Sequence, residues 1–300
     1  QAVAKAVIPA AGFGTRLFPA TKAVKKELFP LITPAGEAKP IIVAIVEEAI
    51  RAGVEEIALI VQPDDEPLFR DLFHALPPPE LYNRLPEQAQ HACHALQRIG
   101  ERITLIPQPA QEGFGHAVLC ARDWVGDAPF LLLLGDHIYM SNTEVPCARQ
   151  LIDAFEAHDC CSVVGLYTAA AEAVSNYGTV SGDWIDEQQR VLNIRELAEK
   201  PSIEYARHKL VTPGLGRDRF LCVYGQYVLT PTVFTKLQDA VDTDQRQAGE
   251  IQLTGALEAV RRDEGVLGCV VDGRHFDTGL PHAYLQSIMA YAGATPQGRE

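Results

Sequence analysis

The sequence predicts an α/β protein with a mixed, mostly parallel central sheet, on three observations. Short apolar runs alternate with amphipathic helical patterns through the first half of the chain, the pattern of βαβ units. The run from Phe130 to Leu134, ahead of Gly135 and Asp136, is apolar without alternation, as a strand covered on both faces requires. From Gly178 onward strands are separated by loops rather than by long helices, which grafts a smaller β-rich region onto the sheet.

In chain order, strands are expected near Ala4 to Pro9, Glu56 to Val61, Arg102 to Ile106, Phe130 to Leu134 and Ser162 to Tyr167. Helices are expected between them near Pro40 to Ala52, Glu66 to His74, Glu87 to Ile99, His116 to Val125 and Glu144 to His158. Pro77 to Pro79 is rigid punctuation between helical pieces. Thr179 to Gly182, Val191 to Leu197 and Phe220 to Leu229 read as strands of the β-rich region. Pro201 to Arg219 lacks a sustained apolar period and reads as a mobile loop. Helices return at Pro231 to Val241, Ile251 to Glu264 and His282 to Tyr291.

Composition narrows the function. The formal charge of −13 disfavours nonspecific binding to a polyanion, so nucleic acid is not an expected partner. Its longest apolar runs, Ile41 to Val46 and Ala128 to Leu134, fall far short of the roughly 20 residues that cross a bilayer, so neither is a membrane span. The chain opens on Gln1 without a signal-peptide pattern. Seven cysteines include no CxxC pair, which fits reduced thiols in a cytosol. His91, Cys93 and His94 lie on what reads as an amphipathic helix face without a second ligand cluster, so structural zinc is not expected there.

Against this acidic background the opening segment is cationic. An apolar strand delivers Ala10, Ala11, Gly12, Phe13, Gly14 and Thr15 to its carboxyl end, followed by Arg16, Lys22, Lys25 and Lys26. Small side chains let main-chain N–H groups approach a phosphate closely, and open α/β sheets bind ligands at that edge. Leu17 stands where the dinucleotide fingerprint needs its third glycine, which removes the NAD reading.

Further along, Asp136 follows the buried strand to the same edge, where it can hold a hard cation or merely cap a turn. Asp277, in HFDTGLPHAY, is alone as good a helix starter as a ligand, but with Asp136 it offers the two carboxylates that Mg²⁺ takes beside substrate phosphates. Gln108, in IPQPAQEGFGHA, carries an amide suited to a nucleobase edge, and Gly113 with Gly115 lets backbone approach it, although Gly-Phe-Gly before a helix is equally ordinary loop chemistry. Glu199 and Lys200 close a strand before Pro201; they suit sugar hydroxyls and a phosphate, or form an exposed ion pair. Asn176, Tyr177 and Gly178 line the same sugar pocket or make a turn.

Together these motifs resemble the sugar-1-phosphate nucleotidyltransferases, most closely the bacterial-type UTP:glucose-1-phosphate uridylyltransferases. The resemblance is collinear over nearly the whole chain, from AVIPAAGFGTRLFPATKAVKKELFP through QEGFGHA and FLLLLGD to AGEIQLT and HFDTG. It implies a Rossmann-like three-layer sandwich, the nucleotide-diphospho-sugar transferase fold. It implies one domain over 1–300, with 1–170 mainly nucleotide-binding, 171–278 mainly sugar-binding and 279–300 a C-terminal helix. By the resemblance, Arg16 and Lys26 are the catalytic cations, and Ala10, Ala11, Gly12, Gly14, Thr15, Gln108 and Gly113 bind nucleotide. His137, Tyr177, Gly178, Glu199, Lys200 and Glu250 would serve the sugar phosphate, and Asp136 and Asp277 the metal. The implied partners are UTP, glucose 1-phosphate, UDP-glucose and pyrophosphate with Mg²⁺, in a cytoplasmic homodimer or homotetramer. Two departures stand out: LITPAGEA after Pro30 is longer than the family's short turn, and His137, Ile138 and Tyr139 follow Asp136 without the usual further aspartate. Alternatives are the same chemistry on dTTP or another sugar 1-phosphate, and a catalytically silent regulatory protein that binds nucleotide sugar. His116, where the thymidylyltransferase branch carries glutamine, favours uridine.

Overall fold

The computed structural model describes residues 2–158 and 161–293; Cys160 and residues 294–300 of the expected C-terminal unit lie outside that range. In chain order the elements are β1 (Lys5–Pro9), the hairpin β2 (Pro30–Ile32) and β3 (Ala38–Pro40), α1 (Ile41–Arg51), β4 (Glu56–Val61), α2 (Glu66–His74), α3 (Pro79–Tyr82), α4 (Glu87–Gly100) and β5 (Ile103–Pro107). Next come α5 (Phe114–Leu119), α6 (Arg122–Val125), β6 (Phe130–Leu133), β7 (His137–Ser141), α7 (Cys147–Ala157) and β8 (Val163–Ala170). The β-rich part holds β9 (Thr179–Trp184), β10 (Val191–Ala198), α8 (Ile203–Lys209) and β11 (Arg219–Leu229). The chain finishes through α9 (Thr232–Asp242), α10 (Leu253–Glu264), β12 (Leu267–Val270), β13 (Gly273–Asp277) and α11 (Pro281–Tyr291).

A nine-stranded sheet in the order β5-β4-β1-β6-β11-β8-β12-β10-β9 runs through both halves of the chain. It is parallel from β5 to β6 and mixed beyond, where β11 runs antiparallel to both β6 and β8 and β12 parallel to β8. Successive strand residues enter opposite cores. Ala6, Ile8, Leu131 and Leu133 pack with α1, α2 and α7 on one face; Val7, Phe130 and Leu132 pack with α5, α9 and α10 on the other. That period of two with both faces covered is the three-layer sandwich, and it explains why FLLL shows no polar alternation. A smaller cluster of Val174, Ala206, Leu210 and Phe220 sits under the β-rich edge.

Most expected elements stand within a residue or two of their predicted ends, and the exceptions have local causes. The predicted helix from His116 to Val125 is two short helices, α5 and α6, parted at Cys120 and Ala121. α7 starts after Pro146 rather than at Glu144, because the residue before a proline is driven out of helical geometry. The predicted loop Pro201 to Arg219 contains α8, whose Ser202 Oγ caps it by accepting from the Tyr205 N–H at 3.1 Å. The long LITPAGEA segment forms the β2–β3 hairpin, closed at Gly36 with φ +84°. β7 and β13 pair antiparallel with each other and stand outside the main sheet.

β1 and β6 end side by side, and Gly135 makes their common edge possible. A Cβ at Gly135 would lie 2.2 Å from the Pro9 carbonyl oxygen, a backbone atom that cannot swing aside. Gly135→Ala should therefore destabilise the protein by about 1–3 kcal/mol, the usual cost of forcing extra carbon into a packed position. Denaturant unfolding of the variant checks this, together with a loss of ligand binding at the β1 edge.

Candidate active site

At the carboxyl end of β1 the chain leaves the sheet through a turn that its own side chains hold. The Ala10 N–H still donates to Ile60 O at 2.7 Å, so the turn proper starts at Ala11, whose carbonyl accepts from Gln62 Nε2 at 2.8 Å. Gly14 has φ +67°, and a Cβ there would stand 2.9 Å from Thr21 Cγ2. No larger residue fits, since strain and contact both oppose it. Thr21 Oγ1 donates to Gly14 O at 2.8 Å. Lys26 Nζ lies 3.5 Å from the Cβ position of Gly12. Lys25 instead pairs with Asp65 at 2.8 Å.

The two aspartates meet because a separate ribbon carries them together. In the β7–β13 pairing His137 faces Asp277 across the strands, and Thr278 clamps that same end by donating through both N–H and Oγ1 to Asp136 O at 2.8 and 2.7 Å. Tyr139 anchors the ribbon to the main sheet, its hydroxyl donating to Gly225 O at 2.6 Å and accepting from the Leu134 N–H at 3.2 Å. Asp136 Oδ2 accepts from Lys26 Nζ at 2.7 Å, and Oδ1 from His137 Nδ1 at 2.9 Å. Asp277 Oδ2 stands 3.7 Å from Arg16 Nη1.

Burial alone would raise the Asp136 pKa, but the His137 hydrogen bond and the Lys26 charge outweigh it and hold the carboxyl well below the usual range. Burial likewise opposes the charge on Lys26, and Asp136 more than restores it. Next to them Glu27 is buried, its carboxyl pushed up to about 7 chiefly by desolvation, and its Oε2 has no hydrogen-bond partner among the described residues. Glu27 lies inside the opening motif, where nothing in the local sequence signals its burial.

Across the cleft two distant motifs zip together. The Ile251 N–H donates to Glu112 O at 2.8 Å, and the Gly115 N–H to Ile251 O at 2.9 Å. Gly113, at φ +106°, leaves only 2.7 Å between its Cβ position and Glu250 Cβ. Glu250, expected among the sugar contacts, thus lines the same cavity as Gln108 and Gly113. Gln108 is buried, with Nε2 donating to Gly113 O at 3.3 Å and to His116 Nδ1 at 3.0 Å. Its Oε1 is the acceptor left for a ligand.

That cavity, of about 460 Å³, is lined by Ala11, Gly12, Gly14, Thr15, Arg16, Lys26, Gln108, Gly113, Asp136 and Glu250. Ala10 is buried behind it. Tyr177, Gly178, Glu199 and Lys200 are not on its wall. They form a neighbouring group: the Gly178 Cβ position is 3.6 Å from Glu199 Oε2, which accepts from Thr254 Oγ1. Lys200 takes the left-handed conformation at φ +43°. Tyr177 connects the groups: its ring centroid stands 6.5 Å from that of His275, and burial first and the Asp277 charge second raise its hydroxyl pKa. His137 lies with the aspartates, its ring stacked on His275. A larger groove of about 660 Å³ lies between β3, α1 and α4, away from the paired aspartates.

The donor set fits a divalent cation. Ligand atoms of Asp136, His137 and Asp277 lie within 4.8 Å of one another. A Cβ on Gly279 would come within 2.9 Å of Asp277 Oδ1 and 3.1 Å of Asp136 Oδ2, so the carboxylates converge on a space that only glycine leaves open. Hard oxygen donors of this kind suit Mg²⁺ or Ca²⁺ rather than a soft metal.

The model of the nucleotidyl transferase family matches residues 5–293. The chain belongs to that family. Among the relatives of this nucleotidyl transferase, the UTP--glucose-1-phosphate uridylyltransferase YngB of Bacillus subtilis is 39% identical over 281 residues, covering 92% of this chain and 85% of YngB. A second Bacillus subtilis UTP--glucose-1-phosphate uridylyltransferase is 33% identical over 295 residues, covering 97% and 91%. A UDP-glucose pyrophosphorylase solved with UDP-glucose superposes with a TM-score of 0.79 at 28% identity, covering 98% of this chain and all of that one. The UTP-bound enzyme of Acinetobacter baumannii gives 0.77 at 25% identity, covering 98% and 95%. Among the described residues of this nucleotidyl transferase, no helix is long and apolar enough to cross a membrane.

The depressed pKa of Asp136 contributes stability above the unfolded carboxyl value near 4 and loses it as pH falls through the folded value. Its ion pair can be tested directly. Lys26→Met leaves a buried carboxylate without its cation and should cost about 3 kcal/mol in thermal or urea unfolding at neutral pH. Lys26→Met with Asp136→Asn should recover a good part of that loss.

Proposed function

We propose that the protein is a UTP–glucose-1-phosphate uridylyltransferase, making UDP-glucose and pyrophosphate from UTP and glucose 1-phosphate. The observation that carries the mechanism is the convergence of Asp136 and Asp277 beside Lys26 and Arg16, on a cavity that Asp136, Lys26, Arg16 and Gln108 line together. The names of the relatives support the substrates.

The chemistry asks little of a general base. A phosphate monoester has its second pKa near 6, so a non-bridging oxygen of glucose 1-phosphate is already an anionic nucleophile. It forms a bond to the α-phosphorus of UTP as the bond to the oxygen bridging α and β breaks, and pyrophosphate leaves with that electron pair. The protein has to align two anions and offset their repulsion. Lys26 and Arg16 would exchange their aspartate contacts for the phosphates of UTP and the departing pyrophosphate. The glycine turn lets Gly12 and Gly14 approach them. Asp136 and Asp277 would hold Mg²⁺, which when bound supplies positive charge to both substrates. Tyr177, Gly178 and Glu199 would hold the sugar, with Lys200 on its phosphate.

Base selection follows from the Gln108 amide. With both Nε2 hydrogens committed, Oε1 accepts the N3–H of uracil, whereas the ring nitrogen of cytosine at that place is itself an acceptor. Thymine shares the N3–H, so Gln108 selects against CTP and not against dTTP. The catalytically silent reading loses ground in a site that keeps both cations and both carboxylates. A cytosolic location belongs to the same reading and is supported by the free thiols Cys93, Cys120, Cys147, Cys222 and Cys269. For a homo-oligomer, α11 offers exposed Leu285 and Met289, one helical turn apart.

Pyrophosphate release over a grid of UTP, dTTP and CTP with several sugar 1-phosphates tests the assignment. UTP with glucose 1-phosphate should give the highest kcat/KM, and Asp136→Asn should lower it at least 100-fold. Gln108→Leu should cost UTP about tenfold, the worth of one buried hydrogen bond, and CTP almost nothing. Release of pyrophosphate with no preference for UTP, or an unimpaired Asp136→Asn, would refute it.

A further inference from the structure

We infer that His137 and His275 are a stacked pair of positioning residues that fix the rotation of the Asp136 carboxylate for its cation. The inference rests on the proposed reading of Asp136 and Asp277 as metal-holding groups.

The register of the β7–β13 ribbon places the pair. His137 stands opposite Asp277, and Tyr139 opposite His275. Residues two apart on a strand share a face, so one face of the ribbon carries an acid and an imidazole from β13 beside an imidazole and a phenol from β7. The diagonal partners His137 and His275 have centroids 5.9 Å apart and ring planes 5° from parallel, a spacing ordinary for stacked rings.

His275 is itself wedged. Its ring meets Tyr167 at 4.4 Å and 64°, and Tyr224 at 4.6 Å and 61°, both edge to face. Tyr224 is fully buried and contacts Cys147 Sγ through its hydroxyl at 3.4 Å, so the wedge is built into the core and not into a mobile loop. His137 therefore has its ring plane set from behind. The Nδ1–H in that plane points at Asp136 Oδ1 at 2.9 Å, while Lys26 occupies Oδ2.

A carboxylate turns easily about its terminal bond, and with Lys26 as its only partner it would swing when Lys26 moves to a phosphate. His137 holds the second oxygen through that exchange. The imidazole contributes an N–H to the Asp136 carboxylate without adding a second anion. Because Nδ1 is spent on Asp136, His137 acts through that carboxylate. Groups of this kind, one shell behind a ligand, commonly change metal affinity 10- to 100-fold when removed.

The test uses the whole protein with Mn²⁺ alone, reading bound metal by electron paramagnetic resonance, with far-ultraviolet circular dichroism as a check on folding. His137→Leu should weaken Mn²⁺ binding by about 10- to 100-fold. His137→Asn, which keeps an N–H donor without an imidazole, should recover most of it. His275→Phe should bind nearly as the wild type does and His275→Ala several-fold less. The double variant His137→Leu/His275→Ala should be no weaker than His137→Leu, because both act along one path. In turnover, the metal concentration for half-maximal rate should move further than KM for UTP. Binding within twofold of wild type in His137→Leu, in a protein where Asp136→Asn abolishes it, overturns the inference alone. Failure of His137→Asn to recover makes His137 a ligand and also overturns it. Absent binding in the wild type, or binding that Asp136→Asn leaves unchanged, overturns the metal reading beneath it.

Discussion

The ion pair between Lys26 and Asp136 is the interaction on which the rest of the site depends. Asp136 lies in the largely buried turn between β6, which both cores enclose, and β7, so its charge is tolerated only with a cation and a hydrogen-bond donor in contact. Lys26 comes from the far end of the glycine turn. To reach Asp136 it needs a turn that folds back over Gly12 and a β1 edge that touches Gly135. The pair thus ties the first motif of the chain to the turn after β6 and, on the proposed reading, stores positive charge where phosphate is to arrive. Arg16 and Asp277 repeat the arrangement on the exposed side. A site with its charges balanced before ligand binds can exchange partners without leaving a charge stranded.

The glycine positions show the same logic in steric form. Gly14, Gly113, Gly135 and Gly279 each stand where a side chain would strike a wall of the site or one of its carboxylates. Together they let backbone from widely separated parts of the chain converge on one cavity. The two zipped segments around Glu112 and Ile251 do the corresponding work beside Gln108. Rigid support of this kind is what phosphoryl transfer requires, since alignment and electrostatics supply most of the catalysis.

Much of this was legible in the sequence because it is local. Alternation of buried strand and amphipathic helix placed β1, β4, β5 and β6 and their helices, and the glycine turn with Arg16 and Lys26 marked one wall of the cavity. What escaped was long-range. β7 and β13 are short, and their pairing joins segments separated by more than a hundred residues, so no window contains the register that brings Asp277 to His137. The placement of Glu250 beside Gln108, and the commitment of Lys25 to Asp65, depend on contacts across the fold in the same way. α8 escaped for a different reason: Ala206 is its one buried residue, too little for an apolar period, and Ser202 was its visible signal.

The most direct measurement is a crystal structure of the protein with UTP and Mn²⁺, the metal located by its anomalous scattering. Anomalous density between the Asp136 and Asp277 carboxylates, with Lys26 moved from Asp136 to a phosphate oxygen and His137 still on Oδ1, is the predicted result. Density held by the UTP phosphates alone, with Lys26 still on Asp136 and Arg16 still on Asp277, would contradict the account.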